Sequence, residues 1–165
     1  MKLKLKILDI SDVTQEYVDW YKVSDVTHYS DNQYRSFTFE GQKDYVNNCL
    51  RDNNIDLYGI FDKNHHIGNI LIEGLNSIHK RAEISYVVGN TEYWGKGVGC
   101  FVISQIINIS KNKYQLNKLF AGVAEANIGS RKILEKNGFT LEGKRLAHLF
   151  YNGEFHNQLD YGLFL

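Results

Sequence analysis

The stretch TEYWGKGVGCFVISQIINIS, residues 91–110, sets Gly95, Gly97 and Gly99 around Lys96 directly before an apolar run. No other segment limits the fold as sharply. Glycine in a helix interior costs about 1 kcal/mol relative to alanine. Glycines this dense mark a turn, or a place where something comes very close to the backbone. Behind them, Phe101, Val102, Ile103, Ile106, Ile107 and Ile109 read as a buried helix. Ahead of them, RAEISYVVGN reads as a strand. A strand, a glycine turn and a buried helix in succession call for a sheet layered with helices.

The remaining segments fit that scheme. Leu3, Leu5 and Ile7 alternate with lysines as in a half-buried strand. Ser11 or Asp12 is placed to cap a helix with Val13, Tyr17, Trp20 and Tyr21 on one stripe. THYSDNQYRSFTFE has no period and reads as a long loop, with a second helix starting near Thr38. IDLYGIF and HIGNILIEGL flank DKNH as a hairpin, and KLFAGVAE is a short strand. NIGSRKILEKNGF carries a whole helix: Asn127 at the N-cap, Gly138 in the left-handed stop position, Phe139 closing the contact. Residues 140–151 and 154–165 are strands joined by Asn152-Gly153, a dipeptide suited to a turn with positive φ at both central positions. The order β, α, α, β, β, β, α, β, α, β, β is that of an α+β protein. It predicts a single mixed, mostly antiparallel sheet of about seven strands flanked by helices, with residues 1–165 as one domain.

Composition removes several functions. Lys+Arg and Asp+Glu are balanced at 19 each, which argues against nucleic acid as a partner. No apolar run has the length of a membrane span. MKLKLKILDI lacks the continuous apolar block of a signal peptide. Cys49 and Cys100 show no pairing or metal spacing, and the whole reads as cytoplasmic. His65, His66 and His79 form no ligand set and read as surface residues, so no metal is expected.

The glycine turn fails as a P-loop: five residues separate Gly89 from Gly95, and Gly97, not Ser or Thr, follows Lys96. It fails as a dinucleotide fingerprint because its spacing is GxGxG. What remains is a helix start whose free N–H groups and dipole attract an anion. From these residues alone, a tight packing turn explains the glycines equally well.

EYWGKGVG following AEISYVVG, with NIGSRKILEKNGFTLEG about thirty residues later, resembles the GNAT acetyltransferase superfamily. The likeness is to its RimJ/RimL-like branch and to spermidine acetyltransferases, and it runs from Ile55 to Tyr161. It implies a GNAT fold and acetyl-CoA as co-substrate. The pyrophosphate would lie on the backbone of Gly95, Lys96, Gly97, Val98, Gly99 and Cys100, beside Trp94. The pantetheine arm would lie between the strands at 82–89 and 118–124, paired with the backbone of Val87 and Val88 and touching Asn127. Trp94 stands where the superfamily often has Gln or Arg, a change this branch tolerates. Leu134 stands where many relatives carry a tyrosine acid. In RimL-like members a serine one turn into the helix takes that role, and Ser130 is at that place. Ser130 equally suits a residue bonding its own helix start. As a helix N-cap, Asn127 has its own plain reading beside the arm contact.

Acetyl transfer needs a neutral amine, and a primary amine with a pKa near 10.4 is almost all protonated at pH 7. Glu83 is the preferred base. It is a carboxylate in mid-strand, sharing a face with Ser85 and Val87. A salt bridge to Arg81 or Lys80 is the structural alternative, and Glu73 and His148 are weaker bases. Cys100 reads as a small buried hydrophobe. Tyr29, Tyr34, Phe37 and Phe39 are placed to wall an acceptor pocket. The expected activity is N-acetyl transfer by direct attack. The acceptor is a small amino sugar, also in nucleotide-linked form, or a protein N-terminus. The alternatives are a polyamine acceptor or a non-catalytic acyl-CoA-binding module, and homodimer formation is left open.

Overall fold

The computed structural model describes residues 1–165. Seven strands form one sheet: β1 (Leu3–Ile7), β2 (Ile55–Asp62), β3 (His65–Glu73), β4 (Arg81–Val88), β5 (Lys118–Ala124), β6 (Thr140–Tyr151) and β7 (Glu154–Phe164). Their spatial order is β1-β2-β3-β4-β5-β7-β6, antiparallel everywhere except between β4 and β5. The helices are α1 (Gln15–Trp20), α2 (Ser24–Thr27), α3 (Phe39–Arg51), α4 (Val98–Asn112) and α5 (Ile128–Lys136). The α+β scheme read from the sequence is the one observed.

Alternation along the strands sorts the side chains onto two faces. Tyr58, Ile60, Ile70, Ile72, Ala82 and Ile84 pack with Val98, Val102, Ile103 and Ile106 of α4 in the main core. On the opposite face Leu57 and Phe61 pack with Tyr17 and Trp20 of α1 and with Val46 and Cys49 of α3. Asn152 and Gly153 both have positive φ, 55° and 82°, as their hairpin turn requires. Gly138 is left-handed, and the Phe139 amide bonds the Leu134 carbonyl at 3.1 Å to close α5.

Local details differ from the sequence reading. Thr14, not Ser11 or Asp12, caps α1, its side chain accepting from the Tyr17 amide. Ser11 and Asp12 belong to a separate short 3-10 turn capped by Asp9. The long loop carries a 3-10 turn at Asp31–Tyr34 and follows the extra short helix α2. His66 is not a surface residue. The β2–β3 register slips between Ile60 and Phe61, so that Ile60 opposes Gly68 while Phe61 opposes His66. Ile67 is the extra residue, and the slip turns His66 inward against Tyr17, Trp20 and Phe61. His65 and His79 do stay exposed.

The His66 Nε2 lies 3.0 Å from the Gly68 carbonyl, which can only accept, so Nε2 carries the proton. Burial holds the His66 pKa below the usual imidazole value, against the opposing pull of Asn69 and Gly68. The unfolded chain takes up this proton at about pH 6.5 and the folded chain only below that. The His66 contribution to stability is therefore level above about pH 6.5 and falls as the pH drops toward the folded value. Urea unfolding at pH 7.5, 6.5 and 5.5 is expected to show this decline, and His66→Gln is expected to flatten it. Equal stability of the wild type at all three pH values would show that His66 is protonated at no cost.

Candidate functional site

The site begins where two strands part. β4 and β5 pair over three residues, Arg81–Glu83 with Lys118–Phe120. Beyond Glu83 and Phe120 each strand follows its other neighbour: β4 stays on β3 up to Val88, and β5 stays on β7 up to Ala124. The sheet opens as a V with Glu83 at its vertex. The Gly89 amide bonds the Ile67 carbonyl at 2.9 Å, which makes Gly68 and Val88 a pair not directly hydrogen-bonded to each other. Alternation then turns the amide and carbonyl groups of Ile84, Tyr86 and Val88 into the V and those of Ser85 and Val87 toward β3. Of the two residues expected to offer backbone to a ligand, Val88 is so oriented and Val87 is not. The Val88 carbonyl already accepts from Trp94 Nε1 at 2.7 Å, which lays the indole across the end of β4.

The glycine turn follows, and its three glycines have two purposes. Gly95 and Gly97 have φ of 72° and 82°, and a Cβ on either would meet nothing within 4 Å. They set the turn and leave its outer side open. Gly99 is needed for packing, because a Cβ there would come within 2.6 Å of Ile133 Cδ1 on α5. The amides of Gly95, Gly97, Val98, Gly99 and Cys100 find no acceptor in the chain, while that of Lys96 reaches the Tyr93 carbonyl at 3.4 Å. Free donors at the start of a fifteen-residue helix are suited to an anion. Lys132 and Lys136, one turn apart on α5, line the same space and add positive charge. Cys100 is partly exposed and lines it too, rather than being buried.

Across the V stands the start of α5. Asn127 is its cap, its Oδ1 accepting from the Ser130 amide at 3.1 Å. Ser130 thus bonds its own helix start, as the plain reading had it, through its amide and not its hydroxyl. Its Oγ lies 3.1 Å from the Tyr86 hydroxyl, which bridges α5 to β4. Leu134, where a tyrosine was the alternative, is 1% exposed and part of the core.

Trp94, Gly95, Gly97, Val98, Gly99, Cys100, Asn127 and Ser130 line one cavity of about 770 Å³, whereas Lys96 of the same turn and Leu134 do not. It runs from the glycine turn, past Ser85, Tyr86, Val87 and Val88, to an aromatic end formed by Tyr17, Tyr21, Tyr29 and Tyr45. Of the four loop aromatics expected to wall that end, only Tyr29 lines it. Phe37 stacks behind Tyr21 at 4.2 Å, Phe39 packs on the α1–α3 core, and Tyr34 donates to the Phe150 carbonyl at 2.9 Å.

Glu83 forms no ion pair with Arg81 or Lys80. It sits directly opposite Glu73 on the β3–β4 pair, on the face that also carries Ser85 and Val87. Its side chain keeps an exposed surface, yet partial desolvation and the Glu73 and Asp160 charges push its carboxyl upward from the usual value, with Arg145 pulling the other way. It stands just outside the cavity lining, two residues from Ser85. His148 is on exposed β6 and outside the lining. The sequence reading missed Tyr86, Lys132, Lys136 and the α1–α3 tyrosines. A signal existed only for the two lysines, whose i, i+4 spacing on a recognisable helix puts them on one face.

A split sheet, a helix start with free amides and a long shared cavity define a binder of an extended anionic ligand. The chain belongs to the GNAT acetyltransferase domain family, whose family model matches residues 2–140. YdaF of Bacillus subtilis (strain 168), which bears the name "Putative ribosomal N-acetyltransferase YdaF", is 31% identical over 96 residues, covering 58% of this chain and 52% of YdaF. Spermidine N(1)-acetyltransferase of Escherichia coli (strain K12) is 28% identical over 92 residues, covering 56% of this chain and 49% of that enzyme. The matched stretch thus spans about half the length of these curated relatives. Among solved structures, spermidine N-acetyltransferase of Vibrio cholerae, in complex with CoA and spermine, superposes with a TM-score of 0.87 at 22% identity, covering 99% of this chain and 95% of that one. RimL, an L7/L12 acetyltransferase in complex with CoA, gives 0.88 at 20% identity, covering 100% and 95%. These likenesses establish the fold.

Proposed function

We propose that the protein is an acetyl-CoA-dependent N-acetyltransferase that passes acetyl to a primary amine by direct attack. The observation that carries this reading is the V between β4 and β5 opening onto the unpaired amides of the glycine turn. The diphosphate of acetyl-CoA fits those amides, with Lys132 and Lys136 beside it. The pantetheine arm fits the V, where Tyr86 and Val88 turn backbone groups toward it, and Asn127 borders it. The thioester then lies between Ser130 and the vertex at Glu83, which takes the amine proton through water. The acceptor enters from the tyrosine end. Asp25 is the one carboxylate lining that end. A polyamine carries several charges and calls for several carboxylates, so the lining favours a small amino sugar, free or nucleotide-linked.

The test is release of CoA thiol from acetyl-CoA with three amine pools: amino sugars and their nucleotide-linked forms, peptides with free N-termini, and polyamines. Release with the amino-sugar pool is the expected result. Release with another pool alone would replace the acceptor. Binding of acetyl-CoA without release in any pool would make the protein a non-catalytic acyl-CoA-binding module.

A further inference from the structure

Tyr86 and Ser130 raise a question that the proposed function leaves open: how charge on the departing sulfur is met when α5 offers Leu134 in place of a hydroxyl. Relief of that charge matters, because breaking the C–S bond leaves its electron pair on sulfur. The two hydroxyls share a single hydrogen bond of 3.1 Å, and neither has another partner in the chain. Each carries one proton and their mutual bond uses one, so one O–H remains free to donate. Both residues line the cavity, and Ser130 sits in the first turn of the nine-residue helix α5, where the helix dipole favours negative charge.

We infer that Tyr86 is a positioning residue for the reaction: its hydroxyl donates to Ser130 Oγ and aims the Ser130 O–H at the sulfur of the departing CoA. The inference rests on the proposed function, which puts the thioester in the V. The amine nitrogen bonds to the acetyl carbon, the C–S bond breaks, and the electron pair goes to sulfur. The proton of the amine leaves through water toward Glu83. The thiolate departs hydrogen-bonded to Ser130 and takes its proton from solvent, as a thiol of pKa near 8.5 does at neutral pH. Burial pushes the Tyr86 hydroxyl above its usual range, so it stays protonated and remains a donor throughout.

The experiment needs no identified amine. CoA is bound to the wild type, Tyr86→Phe, Ser130→Ala and the double variant, and the thiolate absorption of the bound thiol is followed against pH. A donor to the thiolate makes the bound thiol ionise more readily. Removing it is expected to cost roughly tenfold in the ionisation constant, the size of one hydrogen bond to a charged group. Tyr86→Phe and Ser130→Ala should show the same shift, the double variant no more than either, and Ser130→Thr should keep the wild-type value. Acetyl-CoA affinity, whose sulfur is uncharged, should change by less than about threefold. Unchanged thiol ionisation in Tyr86→Phe, with a lower melting temperature, would make Tyr86 a packing residue and overturn the inference. So would additive shifts in the double variant. Failure of the proposed function looks different: the wild type then binds no CoA, and the CoA thiol ionises in its presence as it does in solution without protein.

Discussion

A Gly97→Glu variant is expected to fold and to lose acetyl-CoA binding, by at least about 100-fold. The fold should survive because a Cβ at Gly97 meets nothing within 4 Å. The φ of 82° costs a non-glycine residue on the order of 1–2 kcal/mol, which a domain of this size tolerates. Binding should fail for two reasons. The new side chain stands over the free amides of Val98, Gly99 and Cys100, and its carboxylate repels the diphosphate they are placed to hold. Gly97→Ala carries the same backbone strain without the charge and length, and should keep most of the affinity. Calorimetric titration measures both. A folded Gly97→Glu variant of unchanged affinity would remove the turn from the cofactor site.

Glu83→Gln is expected to keep acetyl-CoA affinity and lose turnover by roughly 10²–10⁴-fold at neutral pH, the contribution of a positioned base. The sign of the pH dependence follows from the environment of Glu83. Its raised pKa makes it a stronger base than an ordinary carboxylate, and wild-type activity falls as the pH drops through that pKa and the base is protonated. The variant lacks this acid limb, and raising the pH restores much of its rate because more amine arrives neutral. Stability gives a second reading. A raised folded pKa means that the fold disfavours the charged form, so the uncharged glutamine should leave the protein at least as stable. If Glu83 were half of a structural ion pair, the variant would lose stability instead. Equal loss of rate at every pH, with an unfolding midpoint below wild type, would place the base elsewhere.

Much of the site was legible because some residue types have few uses. Three closely spaced glycines before an apolar run mark a turn followed by a helix, and the structure shows that turn. Asn127 and Gly138 are residue choices that a helix start and stop impose, and both stand where expected. The misses share a cause. The inward turn of His66 follows from a one-residue slip between two paired strands, which no single strand records. Likewise Tyr86 reads as another core-facing side chain by alternation. Its hydroxyl acquires meaning only because α5 brings Ser130, 44 residues further on, to 3.1 Å from it.

The sequence by itself determined the element order apart from the short helix α2, the glycine turn, the hairpin at Asn152-Gly153 and the family, since each rests on local patterns of a few residues. Tertiary structure alone decided the site. β4 and β5 are far apart in the chain, and their parallel pairing stops at Glu83 and Phe120, beyond which β4 continues with β3 alone and β5 with β7 alone. That divergence opens the cavity and puts Glu83 at its vertex. It also separates Val88, which faces the opening, from Val87, which faces β3. Which way a backbone group points is a property of the pairing and not of the residue, and so no reading of the residues alone could have told the two valines apart.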